Sequence, residues 1–415
     1  MNLSLQASSL QLPASISITG SKSETNRLLL LQALYPNITL ANTSNSDDSE
    51  VMQKALASNF LLPAANFQLV DIHHAGTAMR FLTAYFATQE DRMVTLTGST
   101  RMKERPIKVL VEALQQLGAK IEYLESEGFP PIKITGQKLT QNKVSLPANI
   151  SSQYISALLL IAPKLENGLE LTLIGEITSV PYIKMTLALL NEMGVETSFE
   201  NNTILVKKQL IIHNSQFIIE SDWSSASYFY SIVALSTIGT QITLSSYKQN
   251  SLQGDSALIE IYKNFGVETT FENNKIILRK TKNENLQSVT CNLNSSPDIA
   301  QTIAVTCFGL GIGCHLTGLH TLKIKETDRL EALKTELTKL GATILVTNDS
   351  LILEPSNKIN PNIAIATYND HRMAMAFAPL ALKVPIWIEN AEVVSKSYPT
   401  FWEDLKSIGF KISEI

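Results

Sequence analysis

Only three of the 415 residues are cysteine, at positions 291, 307 and 314. That is too few, and too irregular a spacing, for a disulfide framework or a zinc site. Long apolar runs are missing as well. The longest hold about a dozen residues, short of the roughly 18–20 that span a bilayer. The opening stretch, MNLSLQASSLQLPASISITG, has no basic segment followed by a long apolar one, so no signal peptide is expected. Neither sign of charge dominates: 34 lysines and arginines face 38 aspartates and glutamates, for a net charge of −4. That balance, with no basic patch interleaved with aromatics, argues against a nucleic-acid partner. No Gly/Ser/Pro-rich linker or low-complexity tract interrupts the chain. These absences point to a soluble protein of a reducing, cytoplasmic compartment, with no membrane partner.

What is present is a repeated pattern. The chain is too long for one ordinary core, so two domains are expected. An amphipathic helix ending in an apolar residue and Gly, followed by a strand-like run, occurs five times: LVEALQQLGAKIEYL, LALLNEMGVETSF, LIEIYKNFGVETTF, LKTELTKLGATILV and, truncated, LKSIGFKIS. The glycines are Gly118, Gly194, Gly266, Gly341 and Gly409, roughly 70–75 residues apart. Glycine there suits a left-handed helix C-cap. Between these phrases lie six helices that are apolar nearly all round, starting near Ser23, Gly76, Ser152, Ser224, Ser296 and Asn369. A helix apolar on every side is buried on every side, and the small polar residues at the starts read as N-caps. Six repeat units then make two α/β domains of three units each, meeting near residues 220–222. The domains are expected to be residues 20–221 and residues 222–415 with 1–19, the latter taking its first strand from the N-terminus. Helix N-termini carry free N–H groups and partial positive charge. If several face one cleft, that cleft traps anions.

Cations recur at these starts. Lys22, Ser23 and Arg27 surround the first helix start, with Arg27 one turn beyond Ser23. The GxxxxGK[ST] spacing of a nucleotide-binding loop is absent. Gly76 opens a helix containing Arg80, and Arg101, Lys103 and Arg105 crowd ahead of Pro106, which suits the first position of the next helix. Ser151, Ser152 and Gln153 offer hydroxyls and an amide. In KETDR, Leu330, Leu333, Leu337 and Leu340 stripe a helix beginning near Thr327. Lys325 and Arg329 sit at its first turn against the helix dipole, a placement that costs stability unless an anion binds. His371 and Arg372 repeat the arrangement in NDHR, and Lys396 is a lone lysine. Asp298 opens another buried helix, where it reads as an N-cap or, beside an anion-binding cleft, as a general base.

These motifs in this order, with KETDR, NDHRMAM and GTAMR…RMKERP the most specific, resemble the 5-enolpyruvylshikimate-3-phosphate synthase family from about Gly20 to Pro399. The resemblance implies an enolpyruvyl transferase-like fold, each domain built from three βαβαββ repeats, with buried parallel helices pointing at the inter-domain cleft. It implies enolpyruvyl transfer from phosphoenolpyruvate to the 5-hydroxyl of shikimate-3-phosphate. No metal or cofactor is expected, since side chains neutralise the anions and no His/Cys/carboxylate ligand cluster appears, and a monomer is expected because the six-fold repeat closes without a partner. Shikimate-3-phosphate would meet Lys22, Ser23, Arg27, Ser151, Ser152, Gln153, Ser179, Asp298, Thr321 and Lys325. Phosphoenolpyruvate would meet Lys22, Gly76, Arg105, Gln153, Arg329, Arg372 and Lys396. Glu326 is the candidate proton donor to carbon, and Asp298, with Lys22, the candidate acceptor from the hydroxyl. Glyphosate would compete for the phosphoenolpyruvate site, and family members that tolerate it often carry alanine at the position of Gly76.

The chain departs from the family pattern at His73-His74 (usually Gly-Asn), Phe81 (commonly Pro), Thr321 (usually Asn) and Val180 (usually Lys). The sister family that uses a UDP-amino sugar, UDP-N-acetylglucosamine enolpyruvyl transferase, usually has Lys-Asn at the first motif and a reactive loop cysteine. Here Lys22 precedes Ser23, and the first cysteine is Cys291. A non-catalytic ligand-binding or scaffold protein of the same fold would be expected to lose Lys22, Asp298 or Glu326, and all three are present.

Overall fold

The computed structural model describes residues 1–7, 10–61, 67–213, 215–282 and 286–415. The chain divides into two compact units, one of Met1–Gly20 with Glu220–Ile415 and one of Ser21–Ile219. In the first, a bridge between Gly20 and Ser221 and the Ser221 hydroxyl on the Ile18 carbonyl tie the outgoing chain to the returning one.

Five sheets share one pattern. Phe67–Asp71 runs parallel to Met93–Thr97, which is antiparallel to Ile132–Thr135, itself antiparallel to Lys120–Tyr123. Three such sheets belong to the unit that holds both termini, and two to the other. In each, the outermost antiparallel strand follows within three residues of one of the five phrase-ending glycines. Gly118, Gly194, Gly266, Gly341 and Gly409 have φ of 104°, 84°, 73°, 101° and 106°, a conformation that lacks steric cost only without a Cβ. The sixth sheet has no such phrase in its sequence. Among the described residues it holds only the parallel pair Ile38–Ala41 and Ser215–Ile218. The repeat is therefore reduced in one of its six copies, where the helix–glycine–strand hairpin was never encoded.

All six apolar helices form: Lys22–Leu34, Gly76–Ala87, Ser152–Ile161, Trp223–Leu235, Ala300–Leu310 and His371–Phe377. Every residue of Trp223–Leu235 is buried, as its all-round apolar sequence requires. The hydroxyls inside this layer satisfy one another. Ser227 bonds Thr302 at 3.0 Å, Thr306 bonds Ser231 at 2.8 Å, and Tyr262 bonds Thr306 at 2.9 Å. Side-chain caps close four of the six starts, through Ser21, Ser151, Asp222 and Asp370. Gly76–Ala87 and Ala300–Leu310 have none. Asp298 is thus not an N-cap, because a 3-10 turn, Pro297–Ile299, carries it ahead of its helix. Pro106 is not the first residue of the next helix either. That helix is Lys108–Gln116, behind Ile107, and the Pro106 carbonyl is engaged elsewhere.

The far end of Trp223–Leu235 is closed by a lysine. Lys280 is fully buried and donates to the carbonyls of Ala234 and Phe265, both at 2.7 Å. Burial pushes its ammonium down from 10.5 to about 8. The folded state therefore releases this proton before the unfolded chain does, and stability rises with pH across that window. Urea midpoints at pH 7 and pH 9.5 are expected to show the wild type gaining on Lys280→Met. A difference that does not change with pH contradicts this.

Candidate active site

In the unit Ser21–Ile219, Lys22 is the first residue of its helix and lies 3.2 Å from Asp48. The same carboxylate stands 3.9 Å from His74. Sequence reasoning missed Asp48, which reads as one more acid in the first turn of a helix, DDSE. Arg27 is buried, donating to Thr186 at 2.8 Å, Ser156 at 2.9 Å and the carbonyls of Ser23 and Tyr182 at 2.7 and 3.4 Å. Its guanidinium carbon lies 5.4 Å from the ring centre of Phe81 and 5.8 Å from that of Tyr182. The departure at Phe81 thus supplies an aromatic face for a cation. Burial lowers the Arg27 pKa to about 10. Among the described residues no carboxylate lies within 4 Å of it.

Arg105 is placed by a different route from the one its sequence suggested. A Cβ built on Gly76 would meet Arg105 Nη1 at 2.5 Å, Nη2 at 2.9 Å and Cζ at 3.0 Å. The guanidinium therefore covers the uncapped start of Gly76–Ala87 rather than the start of the helix that follows it in sequence. Two groups lock its backbone: Arg80 and Tyr154 donate to the Pro106 carbonyl at 3.0 and 2.6 Å, and Arg80 also reaches the Gly76 carbonyl at 3.1 Å. Arg105 is 9% exposed, its Nε is buried without a partner, and no carboxylate pairs with it among the described residues. Gln153 joins the group by donating to Thr77 at 3.2 Å, while its own N–H is held by Ser151. Ser152 is buried beside them in the chain. Ser179 is buried in the left-handed region, φ 53°, ahead of Val180–Glu192. It has no hydrogen bond to this group among the described residues.

The other unit gathers its residues around one carboxylate. Asp298 Oδ1 lies 2.9 Å from Arg329 Nη1 and 3.4 Å from Lys325 Nζ, and Oδ2 lies 3.2 Å from Arg372 Nη2. Burial works against this charge, but Arg372, Lys325 and Arg329 outweigh it and hold the carboxyl well below the usual range. Arg329, 2% exposed, also donates to Glu326 at 2.8 Å and to Asp370 at 2.7 Å. Asp370, fully buried, caps its helix through the Arg372 N–H at 2.9 Å. Lys396 donates to the Asn369 carbonyl at 2.6 Å, next to that cap. His371 is buried with its ring 3.8 Å from Asp370. Thr321 is buried, and its hydroxyl has no partner. The KETDR helix, expected near Thr327, is Arg329–Lys339, capped by Asp328, which accepts from the Leu330 and Glu331 N–H groups.

The sequence suggested that Lys325 and Arg329 would wait for an external anion. Instead three cations, Lys325, Arg329 and Arg372, are matched by three carboxylates, Asp298, Glu326 and Asp370. In the other unit, Arg105 is a buried cation that no carboxylate pairs with among the described residues. A buried cation without a partner is costly, so an anion is the ligand such a place favours.

Solved structures share this architecture. EPSP synthase from Acinetobacter baumannii covers the whole chain, and the chain the whole of it, with a TM-score of 0.81 at 23% identity. An enolpyruvyl transferase from Streptomyces tendae covers 99% of this chain with 98% of its own, at a TM-score of 0.73 and 14% identity. The fold is that of the enolpyruvyl transferases. Sequence narrows the class. The family model for EPSP synthase (3-phosphoshikimate 1-carboxyvinyltransferase) matches residues 43–405. A 3-phosphoshikimate 1-carboxyvinyltransferase of Bacteroides fragilis is 46% identical over 408 residues, covering 97% of each chain. One from Actinobacillus pleuropneumoniae is 37% identical, covering 95% of this chain and 96% of that one. The chain belongs to the EPSP synthase family and is a transferase. Among the described residues no helix is long and apolar enough to cross a membrane.

Proposed function

We propose that the chain transfers the enolpyruvyl group of phosphoenolpyruvate to the 5-hydroxyl of shikimate-3-phosphate, releasing phosphate, as a cytoplasmic monomer. One observation carries the reading of the phosphoenolpyruvate side. The buried, carboxylate-free guanidinium of Arg105 lies over an uncapped helix start at Gly76, so side-chain cation and helix N–H groups address one anion. Lys22, Gln153, Arg329, Arg372 and Lys396 are its further contacts. The shikimate-3-phosphate side draws on Lys22, Ser23, Arg27, Ser151, Ser152, Gln153, Ser179, Asp298, Lys325 and the unpartnered hydroxyl of Thr321.

The reaction needs a proton at the methylene carbon and a base for the attacking hydroxyl. Protonation makes C2 electrophilic, and the hydroxyl oxygen adds there as it gives up its proton. The tetrahedral adduct then expels phosphate while the methyl group returns a proton. Glu326 is the donor to carbon and Asp298, with Lys22, the acceptor from oxygen. A carboxyl held far below its usual range is a weak base. Incoming phosphates and a carboxylate would compete for Arg372, Arg329 and Lys325, and added negative charge raises the pKa of Asp298. Substrate binding thus brings Asp298 back toward the range where it can accept a proton.

Phosphate release from phosphoenolpyruvate tests the function. It is expected with shikimate-3-phosphate and absent with UDP-N-acetylglucosamine. The reverse preference would assign the chain to the sister reaction, and release with neither acceptor would refute catalysis.

A methyl group at Gly76 has a defined first contact. It would displace the Arg105 guanidinium before touching any ligand, and the flexible end of that side chain can shift. Gly76→Ala is therefore expected to raise the phosphoenolpyruvate KM and to weaken glyphosate more, by about 1–3 kcal/mol, the scale of one methylene in a pocket. Inhibition curves for both proteins decide it, and equal shifts in the two constants would show that the methyl does not discriminate.

A further inference from the structure

One buried acid near the Asp298 cluster has no part in the chemistry above. Asp255 lies in the 3-10 turn Gly254–Ala257 and is 4% exposed. One of its oxygens accepts from the Ser224 hydroxyl. The other is buried without a partner. Ser224, in the first turn of Trp223–Leu235, accepts in turn from Arg372 Nη2 at 3.2 Å. That same nitrogen donates to Asp298 at 3.2 Å. With its hydroxyl proton committed to Asp255, Ser224 presents only lone pairs to Arg372. The two Nη2 hydrogens are thereby divided between Ser224 and Asp298, and Arg372 Nε is left buried without a protein partner.

We propose that Asp255 and Ser224 are positioning residues for phosphoenolpyruvate binding, fixing the orientation of the Arg372 guanidinium so that its remaining donors face the substrate. The inference rests on the reading of Arg372 as a phosphoenolpyruvate contact. Stability does not account for the pair. Burial and the charge of Asp298 raise the Asp255 carboxyl to about 7, against the opposing pull of Arg372 and Ser224. An acid so disfavoured as an anion, with one oxygen unsatisfied, costs the fold more than an apolar residue of its size would. A guanidinium, by contrast, binds a carboxylate or phosphate through a rigid fork, and its usefulness depends on orientation.

Steady-state kinetics of the full chain test this, with Ser224→Ala, Asp255→Ala, the double variant, Asp255→Asn and Arg372→Lys. Losing the hydrogen bond to a charged group is expected to raise the phosphoenolpyruvate KM about tenfold. The kcat and the shikimate-3-phosphate KM should stay within about threefold. Asp255→Ala should match Ser224→Ala, and the double variant should be no worse than either, because both cut one relay. Asp255→Asn should restore a near-normal KM, since its amide oxygen still accepts from Ser224. If Asp255→Ala does not fold, Ser224→Ala and Asp255→Asn still decide the matter. A phosphoenolpyruvate KM within twofold of wild type in folded Ser224→Ala overturns the relay, provided Arg372→Lys raises it. Additive effects in the double variant also overturn it. An unchanged KM in Arg372→Lys overturns the reading of Arg372 itself, and the relay with it.

Discussion

Glu326→Gln is expected to slow turnover by about two to four orders of magnitude, the usual scale for removing a general acid or base. The geometry makes this a clean test. Glu326 Oε2 accepts from Arg329 Nη2 at 2.8 Å, and a glutamine oxygen can accept the same bond. Shape and the hydrogen bond to Arg329 survive, while the negative charge and the exchangeable proton are lost. Substrate KM values should change far less than kcat. Running the reaction in heavy water adds a second reading. Deuterium should enter the methylene group of unreacted phosphoenolpyruvate with the wild type and not with the variant. Turnover within tenfold of wild type would remove Glu326 from the mechanism.

Asp298→Asn is expected to slow turnover on the same scale but, unlike Glu326→Gln, to weaken the fold. Asp298 is the point where Lys325, Arg329 and Arg372 converge. Asparagine keeps one acceptor and turns an amide donor toward a cation. Arg329 retains Glu326 and Asp370, whereas Arg372 and Lys325 each lose the ion pair to Asp298. Removing one member of a buried charge cluster costs about 3 kcal/mol. Urea denaturation should show that loss, and added phosphate should recover part of it by taking the vacated charge position. A variant as stable as wild type, with or without phosphate, would contradict the cluster's role in holding the helix starts together.

Much of the fold could be read from local sequence, because its signals are local. A glycine after an apolar helix end needs no partner to declare itself, and the five that recur mark the five four-stranded sheets. The all-round apolar helices were legible for the same reason. The reduced sixth sheet is visible only as the absence of a sixth phrase. The site was legible in its members but not in its pairings. Nothing in KETDR says that Arg329 would spend its donors on Asp298, Glu326 and Asp370, since these come from separate segments. Asp370, passed over in NDHR beside His371 and Arg372, is both the cap of its helix and a buried counter-ion. Asp48 looked like an ordinary first-turn acid until folding set it against Lys22. Asp255 carried no signal at all, because its importance lies in a serine hydroxyl two elements away. Arg105 shows the same limit from the other side: its cluster with Arg101 and Lys103 was plain, but the helix start it covers belongs to a different segment.

The most direct test of the account is phosphorus NMR of the purified chain mixed with equimolar phosphoenolpyruvate and shikimate-3-phosphate. The phosphoenolpyruvate signal should fall as inorganic phosphate rises in equal amount, while the shikimate phosphate persists, with a shifted resonance, in a product that carries a new enol ether. Both substrates should be required. Loss of the shikimate phosphate, or release of phosphate from phosphoenolpyruvate without the acceptor, would contradict enolpyruvyl transfer.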